Sequence, residues 1–565
     1  MRYEMERVDT KFSIGWFACV PSEDLDFEGA LEYVQEHPYD DFMHKYLLDL
    51  TGTFGPNLVD LLIKQGKEND LYLLALMYET CILNDKLHAL RAGFDGIDVK
   101  QLAEYTPLIY INWFLRQNQG DNLYWVRLFS ENIYGHKPLP SPEYLERPAP
   151  FDPDAVKAWK ARVAPIEDLL IELGQKVSQK SPVPGPTPEE TAERAMEKLK
   201  ARDLVAGPEA GTQASLSPYA LLMPWKLAVT VSAGRNRWQL TGIQTSYGKG
   251  LNIHEARASY LMEIVERYSA FASFHSDSIP GYKKSYPLIK ATHKDLVKKS
   301  HNALDPNDMN LEVPYQNQEL HWIPADRTDE NGRHPIYVPA QLVFLFCNLD
   351  EISLTSGLPS NGLAAGNTLE EAKLNALVEV IERDAERVMP YSWDRCFLLE
   401  SDDHRVRDIL KSCVEKGIHV QFLDITPEFG VPCYKAFICG PGGEILKGCG
   451  AGLDGKRATV SALTEVPYSH SQEPRSMPAP EGTRTIKYEE LPDYSTGDVG
   501  EDLKLLERLL IKNGYHPIYV DLTRADLDIP VVRALVPGLE MITDFDRFSS
   551  LSLRQFAHSG YCNVA

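Results

Sequence analysis

Between about Phe27 and Phe129 apolar residues recur at helical spacing, as in DLLIKQGKENDLYLLALMYETCIL from Asp60 and LIYINWFLRQ from Leu108. A period near 3.6 places such residues on one side of a helix, so residues 1–136 read as a helical N-terminal domain. Proline then crowds HKPLPSPEYLERPAPFDPD up to Asp154, removing backbone donors that a helix needs. A helix over Ala155 to Val177 and a second proline-rich break, SPVPGPTPEE from Ser181, complete a linker over 137–181. Thr187-Pro188-Glu189-Glu190 supplies a capping hydroxyl, a proline pre-set for the first turn and acids at the positive helix end. It predicts a helix start running into TAERAMEKLKARDL. Beyond this point the short runs RWQLTGIQTS, HPIYVPAQLVFLF, HVQFLDI, CYKAFICG and PIYVDL alternate with helical segments. Residues 182–565 therefore read as an α/β (α+β) domain.

At 565 residues the chain exceeds one core and predicts three or four units of about 150 residues each. Apolar content of 43% and charged content of 25% are ordinary for a globular protein. A net charge of -23 excludes a general binder of nucleic acid or of an anionic membrane, which would need an excess of Lys and Arg. MRYEMERVDTKF lacks the apolar core of a signal peptide and no apolar run reaches membrane length, so the expected location is the cytoplasm. Nine cysteines are scattered without a C-x-x-C spacing; they fit buried thiols in a reducing compartment better than a zinc site or disulfides. Cys449, in GCGAG, also reads as a small buried residue.

The strongest signal is a repeat. GLNIHEARASYLMEIVER from Gly250 and GNTLEEAKLNALVEVIER from Gly366 align without a gap at an offset of 116 residues. Gly250, Glu255, Ala256, Leu261, Glu263, Glu266 and Arg267 match Gly366, Glu371, Ala372, Leu377, Glu379, Glu382 and Arg383. A weaker third copy, GLDGKRATVSALTEV from Gly452, keeps Ala458, Ser461, Leu463 and Glu465 but loses the second Glu and the Arg. On a helix Ser259, Glu263, Glu266 and Arg267 share one face, as do Asn375, Glu379, Glu382 and Arg383, while Leu261, Ile264, Val265 and Tyr268 turn toward a core. A single Glu-x-x-Glu-Arg is ordinarily a solvated face worth a few tenths of a kcal/mol; two copies in one register argue otherwise. Four converging carboxylates repel unless a cation neutralises them, and hard oxygen ligands suit Mg²⁺ shared with substrate phosphates. Ser246-Tyr247-Gly248-Lys249-Gly250 reads as an anion cradle ahead of the first helix, with Ser360 to Thr368 as its counterpart ahead of the second. This combination predicts ATP chemistry without a P-loop.

Three elements carry a resemblance: Ser246-x-Gly248-Lys249-Gly250, Ser259 to Arg267 with its two glutamates, and Asn375 to Arg383 with its two. Together they resemble the YcaO-domain family, from about Pro182 into the early 500s and again in DLTRADLDIPVVRALVPGLE. The resemblance implies a YcaO fold, ATP and Mg²⁺ as cofactors, and activation of a peptide backbone amide. A nucleophile adds to the amide carbonyl, ATP phosphorylates the oxygen, and phosphate departs to give an azoline, a thioamide or an amidine. It implies Glu263, Glu266, Glu379 and Glu382 as metal carboxylates, and Thr191, Ser246, Lys249, Ser259, Asn367, Glu371 and Arg383 as ATP contacts. No catalytic residue is assigned. The chain departs from the family in several places. Glu465-Val466-Pro467-Tyr468 stands for E-x-x-Q, Pro184 stands where a relative has lysine, and HSGYCNVA stands for a terminal P-x-P-x-P. These departures favour thioamide formation or related sulfur modification of a peptide or protein. The alternatives are an azoline-forming cyclodehydratase and a non-catalytic ATP-binding accessory in ribosomal-protein methylthiolation. Expected partners are the peptide or protein substrate, a sulfur donor or TfuA-like protein, and a second copy of the chain; nucleic acid and membrane are not expected.

Overall fold

Two strands precede the N-terminal helices. In the computed structural model, which describes residues 1–8, 16–116, 119–174, 185–213, 215–468, 476–541 and 545–561, Arg2–Val8 pairs antiparallel with Trp16–Pro21 and parallel with Asn236–Gly250. The expectation of an all-helical start is corrected there. RYEMERV carries no helical apolar stripe, and its backbone groups are satisfied by a strand more than two hundred residues away. Helices follow from Phe27–Glu36 through Gln119–Ile133. Their apolar residues, among them Leu47, Ile63 and Leu76, share one continuous core with Trp238, Tyr260 and Trp322 of the later region.

The single helix expected over Ala155 to Val177 is two short ones, Pro153–Lys160 and Ile166–Glu172. Pro165, which disfavours helical backbone in the residue before it, separates them. The expected helix end at Val177, the boundary at 181/182 and Cys562 lie outside the described residues. Pro188–Ala201 starts as anticipated, with Thr187 and Glu190 bonded reciprocally.

Beyond this the chain is mixed α/β, and the described residues as a whole build three sheets. The first runs Trp16–Pro21, Arg2–Val8, Asn236–Gly250, Tyr219–Ala233 and Ala210–Gly211. The second runs Ile445–Ala451, Cys433–Cys439, Gln421–Asp424, Cys396–Glu400 and Arg484–Lys487. The third runs Ile289–Ala291, Leu320–Asp329, Ile518–Asp521, Val531–Leu535 and Leu363–Ala365, with Gly332–Pro339 also on Leu320–Asp329. The run PAQLVFLF does not extend that last strand: Ala340–Leu342 is a tight helical turn and the following residues bend.

Each copy of the repeat is one strand followed by one helix: Ile253–Ala270 and Leu369–Val388, here the first and second acidic helices, and Gly455–Glu465, the helix of the third copy. Asn252, Thr368 and Asp454 cap them through side-chain oxygens. The glycines let each helix lie directly on its strand. A Cβ on Gly248 would sit 2.0 Å from the Ala256 carbonyl oxygen, and one on Gly450 would sit 2.1 Å from that of Ala458. A Cβ on Gly366 would sit 2.4 Å from the Ala372 nitrogen. Ala256, Tyr260, Leu261, Ile264 and Val265 of the first helix are buried as its inner face, each large side chain contributing about 1.5–3 kcal/mol. Tyr268, expected in the core, is only partly buried, with the Arg524 guanidinium 4.5 Å above its ring.

The C-terminal helix Leu553–His558 is clasped to the second acidic helix. Arg554, fully enclosed, pairs with Asp384 (2.8 Å for its longer contact) and with Glu428 at 2.9 Å, and His558 reaches Glu428 at 3.0 Å. Burial alone would raise Glu428, but Arg554 and His558 outweigh it and hold the carboxyl at about 2. The folded chain therefore binds fewer protons here than the unfolded one, so this stabilisation is complete above the ordinary glutamate value and is lost as pH falls toward 2. Urea denaturation at pH 6 and pH 3 is expected to show a loss of about 2 kcal/mol from this group, largely absent in Glu428→Gln. Among the described residues no helix is long and apolar enough to cross a membrane.

Candidate functional site

The two acidic helices meet because both pack against the short strand Leu363–Ala365 and the adjoining strand Val531–Leu535. Their polar faces bring Glu263, Glu266, Glu379 and Glu382 into one electrostatic group. Burial, then the like charges of Glu379 and Glu263, push Glu266 well above the carboxylate range against the pull of Arg267. Burial also raises Glu379 against Arg383, Arg267 and Arg533, and Glu263 against Arg267 and a backbone hydrogen bond. Glu382 is pushed up to about 7 by burial, with Glu379, Glu386 and Glu465 adding to it and Arg383 opposing. Four acids that all resist ionisation mark a place where negative charge is under-compensated.

The surrounding contacts are specific. Arg267 lies 3.6 Å from Glu263 and 3.5 Å from Glu266, and Arg383 lies 3.6 Å from Glu382 and 3.3 Å from Glu386. The expected cradle Ser246 to Gly250 is not a loop but the end of a strand paired with Tyr219–Met223. Ser246 is buried and accepts from Trp225 Nε1 at 3.2 Å, the Tyr247 amide donates to Glu263 at 3.0 Å, and the Gly250 amide donates to Ser217. Lys249 pairs with Glu465 at 2.7 Å, which ties the helix of the third copy to the strand beneath the first acidic helix. Ser259 is exposed on the first helix.

A second cluster forms around Asn367. Its Oδ1 accepts from Thr191 at 3.2 Å and from Arg194 at 3.0 Å, and its amide donates to Glu371 at 3.0 Å. Glu255 repeats the last contact in the first copy, accepting from the Leu251 amide at 2.8 Å. Glu371 thus secures the start of its helix as well as facing the cluster. A cavity of about 420 Å³ opens here, lined by Gly185, Pro186, Glu190, Arg194 and Asn367.

Three participants escape a reading of the motifs. Arg533, fully buried on Val531–Leu535, donates to Pro359 O at 3.1 Å, but its Nε and Nη1 have no partner among the described residues. Burial lowers it to about 10 while Glu379 pulls the other way. A charged residue inside the apolar run VVRALV was the available signal. Glu386 and Lys447, an ion pair between helix and sheet, had no sequence signal. Cys449 is buried and its thiol raised to about 12 by that burial, as a packed structural residue requires.

Among the described residues no three His, Cys, Asp or Glu side chains are arranged to cage an ion by themselves. That suits Mg²⁺, which takes one or two carboxylates and completes its shell with water and phosphate. The unpaired N–H groups of Arg533 beside carboxylates short of positive charge fit a metal–phosphate pair, which supplies both missing signs.

The fold is mixed α/β, and the site gathers four carboxylates and three guanidinium groups from two helices and a strand. Residues 247–472 and 467–540 match the family model described as YcaO cyclodehydratase, ATP- and Mg²⁺-binding. The chain belongs to the YcaO family, whose cofactors are ATP and Mg²⁺. An uncharacterised protein of Methanothermobacter thermautotrophicus is 32% identical over 333 residues, 52% of this chain and 82% of the relative. A second relative, described as an uncharacterised protein in the tfuA 3′ region of Rhizobium leguminosarum bv. trifolii, is 27% identical over 227 residues. The match spans 32% of this chain and about half, 52%, of that protein. Among solved structures, a heterocyclase in complex with substrate and cofactor aligns at 19% identity and TM-score 0.48, over 69% of this chain and 60% of its own. YcaO from Methanopyrus kandleri bound with AMPPCP and Mg²⁺ aligns at 25% and 0.44, over 63% and 91%.

Proposed function

We propose that this chain is an enzyme that uses ATP and Mg²⁺ to activate a backbone amide of a peptide or protein, and that the product is a thioamide or a related sulfur-modified amide. The observation that supports the enzymatic reading is the group of four under-compensated carboxylates facing Arg267, Arg383 and Arg533. Glu263 and Glu266 from one helix and Glu379 and Glu382 from the other would hold magnesium, one or two carboxylates to each ion. Arg383, Thr191 and Asn367 hold the nucleotide, and Ser259 contacts it from the first helix. Lys249 serves the site by fixing Glu465 rather than by touching phosphate, and Ser246 by packing the strand under the first helix. Magnesium-bound ATP, when present, supplies the phosphoryl group that turns a poor leaving oxygen into a good one. The relative named for the tfuA region supports sulfur as the incoming nucleophile.

Mass spectrometry of peptides from cells with and without the protein tests this. The expected change is a gain equal to exchanging oxygen for sulfur, absent when Glu379→Gln replaces the wild type. Loss of one water instead overturns the sulfur assignment in favour of an azoline. No covalent change overturns the enzymatic reading and leaves an ATP-binding accessory role.

A further inference from the structure

One turn beyond Glu382, the buried carboxylate of Glu386 is shared by two cations. Lys447, on the strand Ile445–Ala451, ion-pairs with its Oε1, while Arg383 Nη1 donates to its Oε2 at 3.3 Å. The other terminal nitrogen of Arg383 stays near Glu382, 3.6 Å away. The N-terminal region closes the far side of this lysine. The Tyr134 ring lies 3.9 Å from the Lys447 ammonium, and the neighbouring Lys435 donates to the Ile133 carbonyl at 3.1 Å. Asn132 fixes the same segment by bonding both backbone groups of Tyr391, at 2.8 and 3.1 Å.

A buried carboxylate beside one guanidinium takes it in a bidentate fork, because that uses both oxygens and both N–H edges. Here the second cation occupies one oxygen and prevents the fork. We propose that Lys447 is a positioning residue of the nucleotide site: by holding one oxygen of Glu386 it leaves Arg383 free to meet phosphate, and the exit of the Gln119–Ile133 helix keeps the lysine in place. This rests on the reading of Arg383 as a phosphate contact.

Calorimetric titration of the full chain with Mg²⁺ and ATP tests it. Lys447→Met is expected to weaken binding about tenfold. Lys447→Arg is expected to restore most of the affinity, since it returns the charge to Glu386. The double variant Lys447→Met/Glu386→Gln is also expected to recover most of the loss, because a neutral amide cannot trap Arg383. A merely structural role for Lys447 would lower the melting temperature of the nucleotide-free chain in step with the affinity, whereas the positioning role lowers affinity beyond any change in melting. Unchanged binding in Lys447→Met, or a double variant as weak as the single one, overturns the inference. If Lys447→Met does not melt cooperatively, the double variant, which leaves no unpaired buried carboxylate, is compared directly with wild type, and a tenfold deficit there overturns it. Glu379→Gln is titrated alongside. If it binds like wild type, the site reading itself fails; if it does not bind while Lys447→Met binds like wild type, only the present inference fails.

Discussion

Glu379→Gln is expected to weaken Mg²⁺–ATP binding by on the order of a hundredfold or more, measured by calorimetry on the full chain, without lowering the melting temperature of the nucleotide-free protein. Glu379 is where the two acidic helices act on each other: Arg383 of its own helix, Arg267 of the other, Arg533 of the strand beneath and Glu263 all influence its ionisation. The group holds one more carboxylate than guanidinium, counting Glu263, Glu266, Glu379 and Glu382 against Arg267, Arg383 and Arg533. An amide at position 379 removes the excess negative charge that a metal would otherwise balance. Ligand affinity therefore falls while the empty site relaxes, since a buried carboxyl raised above its ordinary value costs stability when ionised near neutral pH. A lower melting temperature with intact Mg²⁺–ATP binding would mean that Glu379 anchors the guanidinium groups rather than an ion.

Gly248→Ala is expected to cost at least about 3 kcal/mol of stability and to take Mg²⁺–ATP binding with it. The added methyl would lie 2.0 Å from the Ala256 carbonyl oxygen and 2.5 Å from the Tyr260 nitrogen. Both are backbone atoms of the first acidic helix, so no side-chain rotation relieves the clash and the helix must lift. Glu263 and Glu266 ride on that helix and leave register with Glu379 and Glu382. Gly242→Ala, in the same strand, is the control. Nothing lies closer than 3.9 Å to its new methyl, and its cost should stay within about 0.5 kcal/mol. Urea midpoints read both variants, and equal effects would show that close helix-on-strand contact is not what these glycines provide.

The repeat was readable from sequence because its constraints are local and imposed more than once. A small residue where helix meets strand, a cap, and acids three positions apart all fall within eighteen residues. The same glycines misled in one respect. Ser246 to Gly250 has the composition of a turn, yet its glycines serve close approach within a strand, and its amides are spent on Ser217, Glu263 and the neighbouring strand. What sequence could not show is pairing over long separations. Lys447 meets Glu386 across 61 residues, and Arg2, Tyr3 and Glu4 pair with Gln239, Leu240 and Thr241 from more than two hundred residues away. Arg533 was legible only as an oddity, a cation in an otherwise apolar strand, and its meaning depends on carboxylates contributed by two distant helices.

The parallel seam between Arg2–Val8 and Asn236–Gly250 has one further consequence. The strand that leads into the first acidic helix is hydrogen-bonded to residues 2–4, and the N-terminal helices share one apolar core with that strand and helix. The two regions are built as one block, hinged nowhere along this seam.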